Sequence, residues 1–149
     1  MVSAPPKMTW DWEEAGQDLP ITDQHVYLKI KGRFTYGKGV EPEYAWYNGE
    51  STRYLLGDEI DPEGVTKITE PLGAREDAKA RIWPFKVHRG RQIYDAVHNY
   101  FLVPNVHVAK GFWTAFEWEP ALPLGAEVTG LPYSGSFNFA PTEMYLPQN

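Results

Sequence analysis

The most informative stretch of the chain covers residues 82–95 and reads Ile82-Trp83-Pro84-Phe85-Lys86-Val87-His88-Arg89-Gly90-Arg91-Gln92-Ile93-Tyr94-Asp95. It joins an aromatic group to a histidine that has cations close by on both sides. Large aromatic side chains favour a buried anchor, and histidine is a common ligand or proton carrier. We therefore expect this stretch to carry the function of the chain.

The composition sets limits on the class of protein. The chain has 149 residues, which predicts one domain over residues 1–149 or a fragment of a larger protein. Its 14 basic and 20 acidic residues give a net charge of −6, which argues against binding to nucleic acid. Six Trp, nine Tyr and seven Phe form a heavy aromatic load. Such side chains indicate that something flat, apolar or large is covered.

Cysteine is absent from the sequence. The chain alone therefore cannot form disulfides, thiolate metal sites, cysteine nucleophiles or covalent c-type haem attachments. No apolar run approaches the ~20 residues that span a bilayer, and the start of the chain lacks the apolar core of a signal peptide. We expect either a cytoplasmic protein or a piece of a longer precursor, with no membrane span.

Alternating patterns predict strands in the first half of the chain. Residues 25–36 alternate apolar and polar side chains, which is the clearest strand pattern in the chain. Residues 43–47 predict a second strand that ends in a turn at Asn48-Gly49, and a third strand is expected around residues 52–56. Together these segments predict a β-hairpin or a three-stranded meander.

Two segments in the second half have helical spacing. Residues 91–102 place Ile93, Val97 and Tyr100 on one side, and residues 111–119 form a second candidate that Pro120 would end. Residues 130–141 have the glycine, proline and serine content of a loop. The expected fold class is irregular α+β, with an N-terminal hairpin or meander followed by short helices and long ordered loops.

The four histidines are the candidates for metal or haem ligation. His88 lies close to Lys86 and Arg89, whose charges would lower its pKa and keep the imidazole in the neutral form that binds a metal. His98 follows Asp95 by three residues in the predicted helix, so that this carboxylate could orient one ring nitrogen, although such histidines are usually core or boundary residues.

The other two histidines have weaker patterns. His107 lies in a loop where either role is open, and His25 is interpreted as a surface residue. No pair of histidines has the spacing of a helical zinc site, so a self-contained metal site is not expected.

Several motifs in this order resemble the carboxy-terminal half of octahaem c-type cytochromes of the tetrathionate reductase type. They are Thr9-Trp10-Asp11-Trp12, Tyr44-Ala45-Trp46-Tyr47-Asn48-Gly49, the stretch from Ile82 to Asp95, and Gly111-Phe112-Trp113. The resemblance runs over nearly the whole chain. It implies a periplasmic or extracytoplasmic electron-transfer enzyme that reduces small sulfur or nitrogen oxyanions.

The absence of cysteine separates this chain from the complete members of that family, which carry their haems on cysteine motifs. The resemblance therefore implies a haem-free part of a multihaem cytochrome, with haem c attached to a partner subunit or to a missing portion of the chain. The chain would not be an enzyme on its own, and no catalytic residue is assigned to it. The small oxyanion substrate would bind to the parent protein.

The resemblance also implies roles for particular residues. A haem with two histidine ligands can take the second one from elsewhere in the fold. His88 is then the first candidate for the ligand to the haem iron, His98 the second and His107 the third. Lys86, Arg89 and Arg91 would neutralise haem propionates or attract an anion, and Trp83 and Phe85 would pack on the macrocycle.

Two alternatives remain open at the level of the sequence. Trp83, Pro84 and Phe85 could simply fill a core while the nearby cations form a solvated rim. The chain could also be a free-standing β-rich module whose surface aromatic residues bind a sugar or a peptide. The binding module differs from the cytochrome part in that it would work without a haem-bearing partner.

Overall fold

The computed structural model describes residues 6–147. Its strands are β1 (Lys7–Asp11), β2 (Tyr27–Leu28), β3 (Gly32–Tyr36), β4 (Glu43–Tyr47), β5 (Ser51–Arg53), β6 (Thr66–Pro71), β7 (Arg81–Asp95) and β8 (Phe137–Pro147). Two helices, α1 (Phe112–Ala115) and α2 (Trp118–Thr129), lie between β7 and β8. Irregular α+β is therefore confirmed as the fold class.

Strand β7 is the centre of a mixed sheet. The strand order is β2-β3-β1-β7-β8-β6-β5, with β4 as an additional partner of β7. Along one edge, β7 pairs antiparallel with β8 from Phe85 to Asp95. The opposite edge is shared, because β4 pairs with residues 81–85 and β1 pairs in parallel with residues 89–91. The stretch that is richest in sequence signals thus holds the sheet together.

The prediction of a helix over residues 91–102 is wrong. Strand β7 continues to Asp95, and a turn follows at residues 96–98. The reason lies in the two hydrophobic clusters. Ile93 packs into a cluster with Leu102, Phe112 and Leu122, whereas its neighbour Tyr94 packs into another with Ile60, Phe101 and Ala140. Successive side chains of a strand point to opposite faces, so both clusters can be filled only by an extended backbone.

The helix predicted over residues 111–119 is confirmed only in part. Helix α1 covers four residues, and α2 begins at Trp118 and continues through Pro120 instead of ending there. Pro120 is the third residue of α2. At that position the backbone nitrogen has no partner within the helix, so the missing N–H costs no hydrogen bond.

The predicted pairing of the N-terminal strands also needs correction. Strand β4 agrees with the prediction, but β4 pairs with β7 and β5 pairs with β6, so these two strands form no hairpin. Asn48 instead binds a distant segment, since its backbone N–H donates to the Leu72 carbonyl and its side chain donates to Asp77. The backbone and side-chain donors of Asn48 are therefore satisfied by residues 24 and 29 positions later in the chain.

The strand predicted over residues 25–36 is divided into β2 and β3, which pair with each other. Gly32 begins β3 with a φ of +79°, and a Cβ at this position would lie 2.0 Å from the Asp11 carbonyl oxygen. Only glycine accepts both conditions. The interruption therefore lets β3 lie close to the end of β1.

The C-terminal loop prediction is wrong from Phe137 onward, where β8 begins. The two ends of the chain, residues 1–5 and 148–149, lie outside the described residues, and they include most of the segment that lacks the apolar core of a signal peptide. In residues 6–147, neither helix has the length and apolar character required to cross a bilayer.

Candidate functional site

His88 lies in the middle of β7, between strands on both sides. Its partner across β8 is Met144, and the next residue, Arg89, pairs with Thr9 of β1. The half-buried imidazole places Nδ1 3.3 Å from the backbone oxygen of Lys7, at the start of β1. The ring is thus held by a residue 81 positions earlier in the chain.

This hydrogen bond determines which nitrogen of His88 carries the proton. A carbonyl oxygen can only accept, so Nδ1 must donate. When the imidazole is neutral, Nε2 then keeps its lone pair and can bind a metal ion. A donated Nδ1–H to a backbone carbonyl is the arrangement that orients metal-binding histidines in general.

The surroundings of His88 favour the neutral form. Burial lowers its pKa, and the ammonium groups of Lys7 and Lys86 lower it further, against the opposing effect of the hydrogen bond to the Lys7 carbonyl. The predicted direction is therefore confirmed. The cause differs, because burial is the largest influence and Lys7 takes the place that the sequence indicated for Arg89.

Arg89 is bound to carboxylates of the chain itself. Its guanidinium donates to both oxygens of Glu43 at 2.7 and 3.0 Å and to Glu143 at 2.9 Å. Lys67 donates to the other oxygen of Glu143. These four residues, which we call the charge network, connect β4, β7, β8 and β6. Arg89 is consequently an internal cross-link with its charge already neutralised.

Within residues 6–147, Arg91 is also bound by partners of the chain itself, whereas Lys86 is not. Arg91 donates to Glu13 at 2.7 Å and to the backbone oxygen of Phe139 at 3.1 Å. Lys86 forms no hydrogen bond or ion pair with any residue in the described part of the chain. Because side chains alternate along β7, Lys86 lies on the face of His88, whereas Arg89 and Arg91 lie on the other. Of the three predicted cations, Lys86 is the one placed beside the histidine.

Alternation also places both predicted haem-packing aromatics on the face opposite His88. Phe85 is a core residue with 1% exposure, and its ring meets Tyr47 and Tyr145 edge-on at 5.4 and 5.9 Å. This leaves no surface of Phe85 for contact with an external group. Trp83 is 39% exposed. The structure therefore does not bring Trp83 and Phe85 together with His88.

His98 and Asp95 are related differently from the prediction. The Asp95 carboxylate accepts the backbone N–H groups of Val97 and His98, both at 2.9 Å, and that of Ser134 at 2.7 Å. It therefore does not act on the His98 ring as the predicted helix required. The exposed His98 ring instead stacks on Tyr100, with centroids 5.5 Å apart and planes at 9°.

His107 is exposed and meets the Trp113 ring edge-on, with centroids 4.7 Å apart. His25 is a surface residue, as predicted, with its Nδ1 3.1 Å from Asp23. His88 and Asp95 are seven residues apart on one strand, so roughly 23 Å of extended chain separates them. His88 and His98 are therefore not brought together. Among residues 6–147, no group of three or more possible ligand side chains could hold a metal ion.

Sequence reasoning missed the residue that orients His88. Lys7 supplies a backbone carbonyl, and a carbonyl has no signature in the sequence. The contact arises because β1 lies in parallel beside β7. Only the pairing of these strands could have indicated it.

The charge network leads to a prediction about stability. Glu143→Gln is expected to lower the free energy of unfolding by about 1 kcal/mol at pH 7, because Lys67 and Arg89 lose a partly buried anion. The hydrogen bond from Lys67 and the nearby charges lower the pKa of Glu143 from its usual 4.5. Its contribution is thus present above pH 4.5 and is lost as the pH falls through the lowered value.

Urea unfolding of both proteins from pH 7 to pH 3 would check this, and the difference should shrink on acidification. The exposed Glu59 gives a matched control. Glu59→Gln should change the free energy of unfolding by less than about 0.5 kcal/mol. Equal effects of the two substitutions at pH 7 would show that the network contributes nothing.

Comparison with known proteins identifies the family to which the chain belongs. The chain belongs to the family described as bacterial cytochrome c, whose model matches residues 7–149. It is similar to the crystal structure of octaheme cytochrome c from Shewanella oneidensis, with 47% sequence identity and a TM-score of 0.89. The resemblance to octahaem cytochromes c that the sequence indicated is therefore confirmed.

The extent of the match differs between the two chains. It covers 96% of the present chain and 35% of the Shewanella chain. The chain thus spans about a third of the length of this relative. No curated protein matches the sequence.

Proposed function

We propose that this chain is the cysteine-free part of a multihaem cytochrome c and supplies a distal axial ligand to a haem c that is attached elsewhere. The ligand is Nε2 of His88. The observation that carries the proposal is the hydrogen bond from His88 Nδ1 to the Lys7 carbonyl at 3.3 Å, which leaves Nε2 as the acceptor nitrogen. His98 and His107 remain second and third candidates, since both rings are exposed.

The residues around His88 fit such a group. An imidazole kept neutral by burial is ready to donate its lone pair to iron. Lys86 lies two residues away on the same face and would pair with a haem propionate. A haem c held there would pass single electrons, while β7 keeps the imidazole in place through its pairing with β1 and β8.

The parent protein is proposed to be an oxidoreductase in the periplasm or another extracytoplasmic compartment. Its proposed substrates are small sulfur or nitrogen oxyanions and related species, such as tetrathionate, nitrite or hydroxylamine. The similarity to an octaheme cytochrome c supports the first of these statements. The substrate itself rests on the resemblance of the sequence motifs.

The alternative of an aromatic binding module has weaker support. Such a module needs exposed rings arranged as a platform. Trp10 and Trp12 instead stack on each other at 4.7 Å, and Trp12 meets Trp118 edge-on at 6.5 Å. Trp118 in turn stacks on the buried Phe112 at 3.7 Å. These rings pack against one another and against the core.

His88→Ala tests the ligand assignment in the holoprotein that contains this chain and its haem-bearing portion. We expect one haem to change from low-spin to high-spin, because its iron loses a strong-field ligand. Electron paramagnetic resonance and absorption spectra measure the change, and added imidazole should restore the low-spin signal. The exposed His25 provides the control, since His25→Ala should leave both spectra unchanged.

Unchanged spectra of the His88→Ala holoprotein would exclude His88 as the ligand. The same assay would then be applied to His98→Ala and His107→Ala. If none of the three substitutions alters a haem, the chain supplies no axial ligand and the proposal fails.

A further inference from the structure

One face of the β4–β7 pair carries large apolar side chains that are mostly exposed in the described part of the chain. Tyr44 lies opposite Pro84 in the antiparallel register, so its side chain shares a face with Ile82, Lys86 and His88. We call Tyr44, Ile82, Pro84, Lys86 and His88 the docking face. Tyr44 is 65% exposed and Ile82 is 61% exposed. Exposed large apolar residues grouped in this way mark interaction sites.

The shape of the chain beside these residues agrees with a contact surface. A groove of about 420 Å³ lies beside Tyr44, Pro84 and Lys86 of the docking face, between β7 and the segment that leads into β4. It is lined by Pro6, Val40, Pro42, Tyr44, Pro84 and Lys86 among others. The walls are mainly apolar, and the ammonium group of Lys86 is the cation among these residues. The groove would accept an apolar surface that carries a negative group.

The opposite face of β7 is covered by the chain itself around Phe85 and Val87, although Trp83 on that face is 39% exposed. Phe85 and Val87 are both 1% exposed, and the next residue on that side, Arg89, is bound in the charge network. A partner that approaches β7 therefore has access to the His88 side. The two faces therefore differ, because Tyr44 and Ile82 of the docking face are exposed whereas Phe85 and Val87 on the other face are buried.

The size of the relative indicates what covers this face. The present chain corresponds to 35% of the octaheme cytochrome c from Shewanella oneidensis, so roughly two thirds of that polypeptide lies outside the shared region. We infer that the docking face is the surface on which the haem-bearing portion of the cytochrome packs, with Tyr44 and Ile82 at the contact and Lys86 and His88 toward the haem. This inference rests on the proposed function and adds the surface at which it operates.

Hydroxyl-radical footprinting of an assembled holoprotein tests the inference. The full 149-residue chain replaces the matching region of the Shewanella protein, so that the haem-bearing probe is defined. Oxidation is normalised to the intrinsic reactivity of each residue type. Val97 and Val128 are the internal controls, because they are 65% and 79% exposed and do not belong to the docking face.

We expect the oxidation rates of Tyr44 and Ile82 to be at least fivefold lower than the rates calculated from their exposure in the free chain. The rates of Val97 and Val128 should equal the calculated ones. Full reactivity of Tyr44 and Ile82 in the haem-loaded protein would overturn the inference. The same measurement is made on the 149-residue chain alone, without the haem-bearing polypeptide. If Tyr44 and Ile82 become protected as the concentration of that chain rises, the docking face binds a second copy of the chain, and this result would also overturn the inference.

A matched pair of variants gives a second measurement. Ile82→Glu places a charge on the docking face, and Val128→Glu places the same charge on an exposed position of α2. Ile82→Glu should reduce the haem content of the purified protein at least threefold, whereas Val128→Glu should leave it unchanged. Equal haem content in the two variants would contradict the inference.

The outcome for His88→Ala is separable from these results. If the haem spectra of that variant are unchanged while Tyr44 and Ile82 are protected, the ligand assignment fails and the docking face stands. If the spectra change while both residues remain reactive, the ligand assignment stands and the docking face fails.

Discussion

Replacement of Asp95 by alanine is expected to lower the free energy of unfolding by about 4 kcal/mol, because three backbone N–H groups lose their acceptor. Asp95 is completely buried at the end of β7. Burial alone would raise its pKa, but the N–H groups of Ser134, His98 and Val97 outweigh that effect and lower it. The charged carboxylate thus holds the turn after β7 and the loop before β8.

Equilibrium unfolding in urea, followed by far-ultraviolet circular dichroism, measures this effect. Asp23 provides the control, since its carboxylate also accepts a backbone N–H two residues later, at 2.9 Å, but is exposed. Asp23→Ala should destabilise the chain much less than Asp95→Ala, because water can replace the carboxylate at an exposed N–H group. If the two substitutions destabilise the chain equally, burial of the Asp95 carboxylate does not matter.

Gly125→Ala in α2 is expected to lower the free energy of unfolding by about 3 kcal/mol. A Cβ on Gly125 would lie 1.7 Å from the backbone oxygen of Val103, so the helix and the segment after β7 would have to separate. The same contact contains a hydrogen bond from the Asn105 N–H to the Ala121 carbonyl at 3.0 Å, which the separation would lengthen. The substitution therefore disturbs the attachment of α2 to the sheet.

The direction of the stability change tests whether α2 and Val103 are in close contact. In an exposed helix, alanine is favoured over glycine by about 1 kcal/mol. Val128→Ala in the same helix is the control, because Val128 is 79% exposed and should change stability by less than about 0.5 kcal/mol. Thermal and urea unfolding of both variants would measure the two changes in stability. A Gly125→Ala protein as stable as the original would show that α2 does not approach Val103 so closely.

Some elements could be predicted because their signal is local. Strand β4, for example, agrees with its pattern. The region around Ile93 and Tyr94 shows the limit of such signals. Two adjacent apolar residues fit a helix or a strand equally well, and the choice depends on a hydrophobic cluster on each face of the sheet.

The roles of the cations illustrate the same limit. The sequence shows basic side chains on both sides of His88, but Glu43 and Glu143, which bind Arg89, lie 46 and 54 positions away. Whether an arginine is available for an external anion depends on such distant partners. Local sequence therefore shows which cations lie near His88 along the chain while leaving the role of each one undecided.

The sequence by itself determined the absence of covalent haem attachment to this chain, since no cysteine is present, and it indicated the octahaem cytochrome resemblance through the order of its aromatic motifs. Tertiary structure alone decided which strands flank β7, which nitrogen of His88 is protonated, and which cation shares its face. The physical reason is that these properties depend on backbone hydrogen bonds between segments as far apart as Lys7 and His88. A backbone carbonyl is the same in every residue, so its position, and not its identity, carries the information.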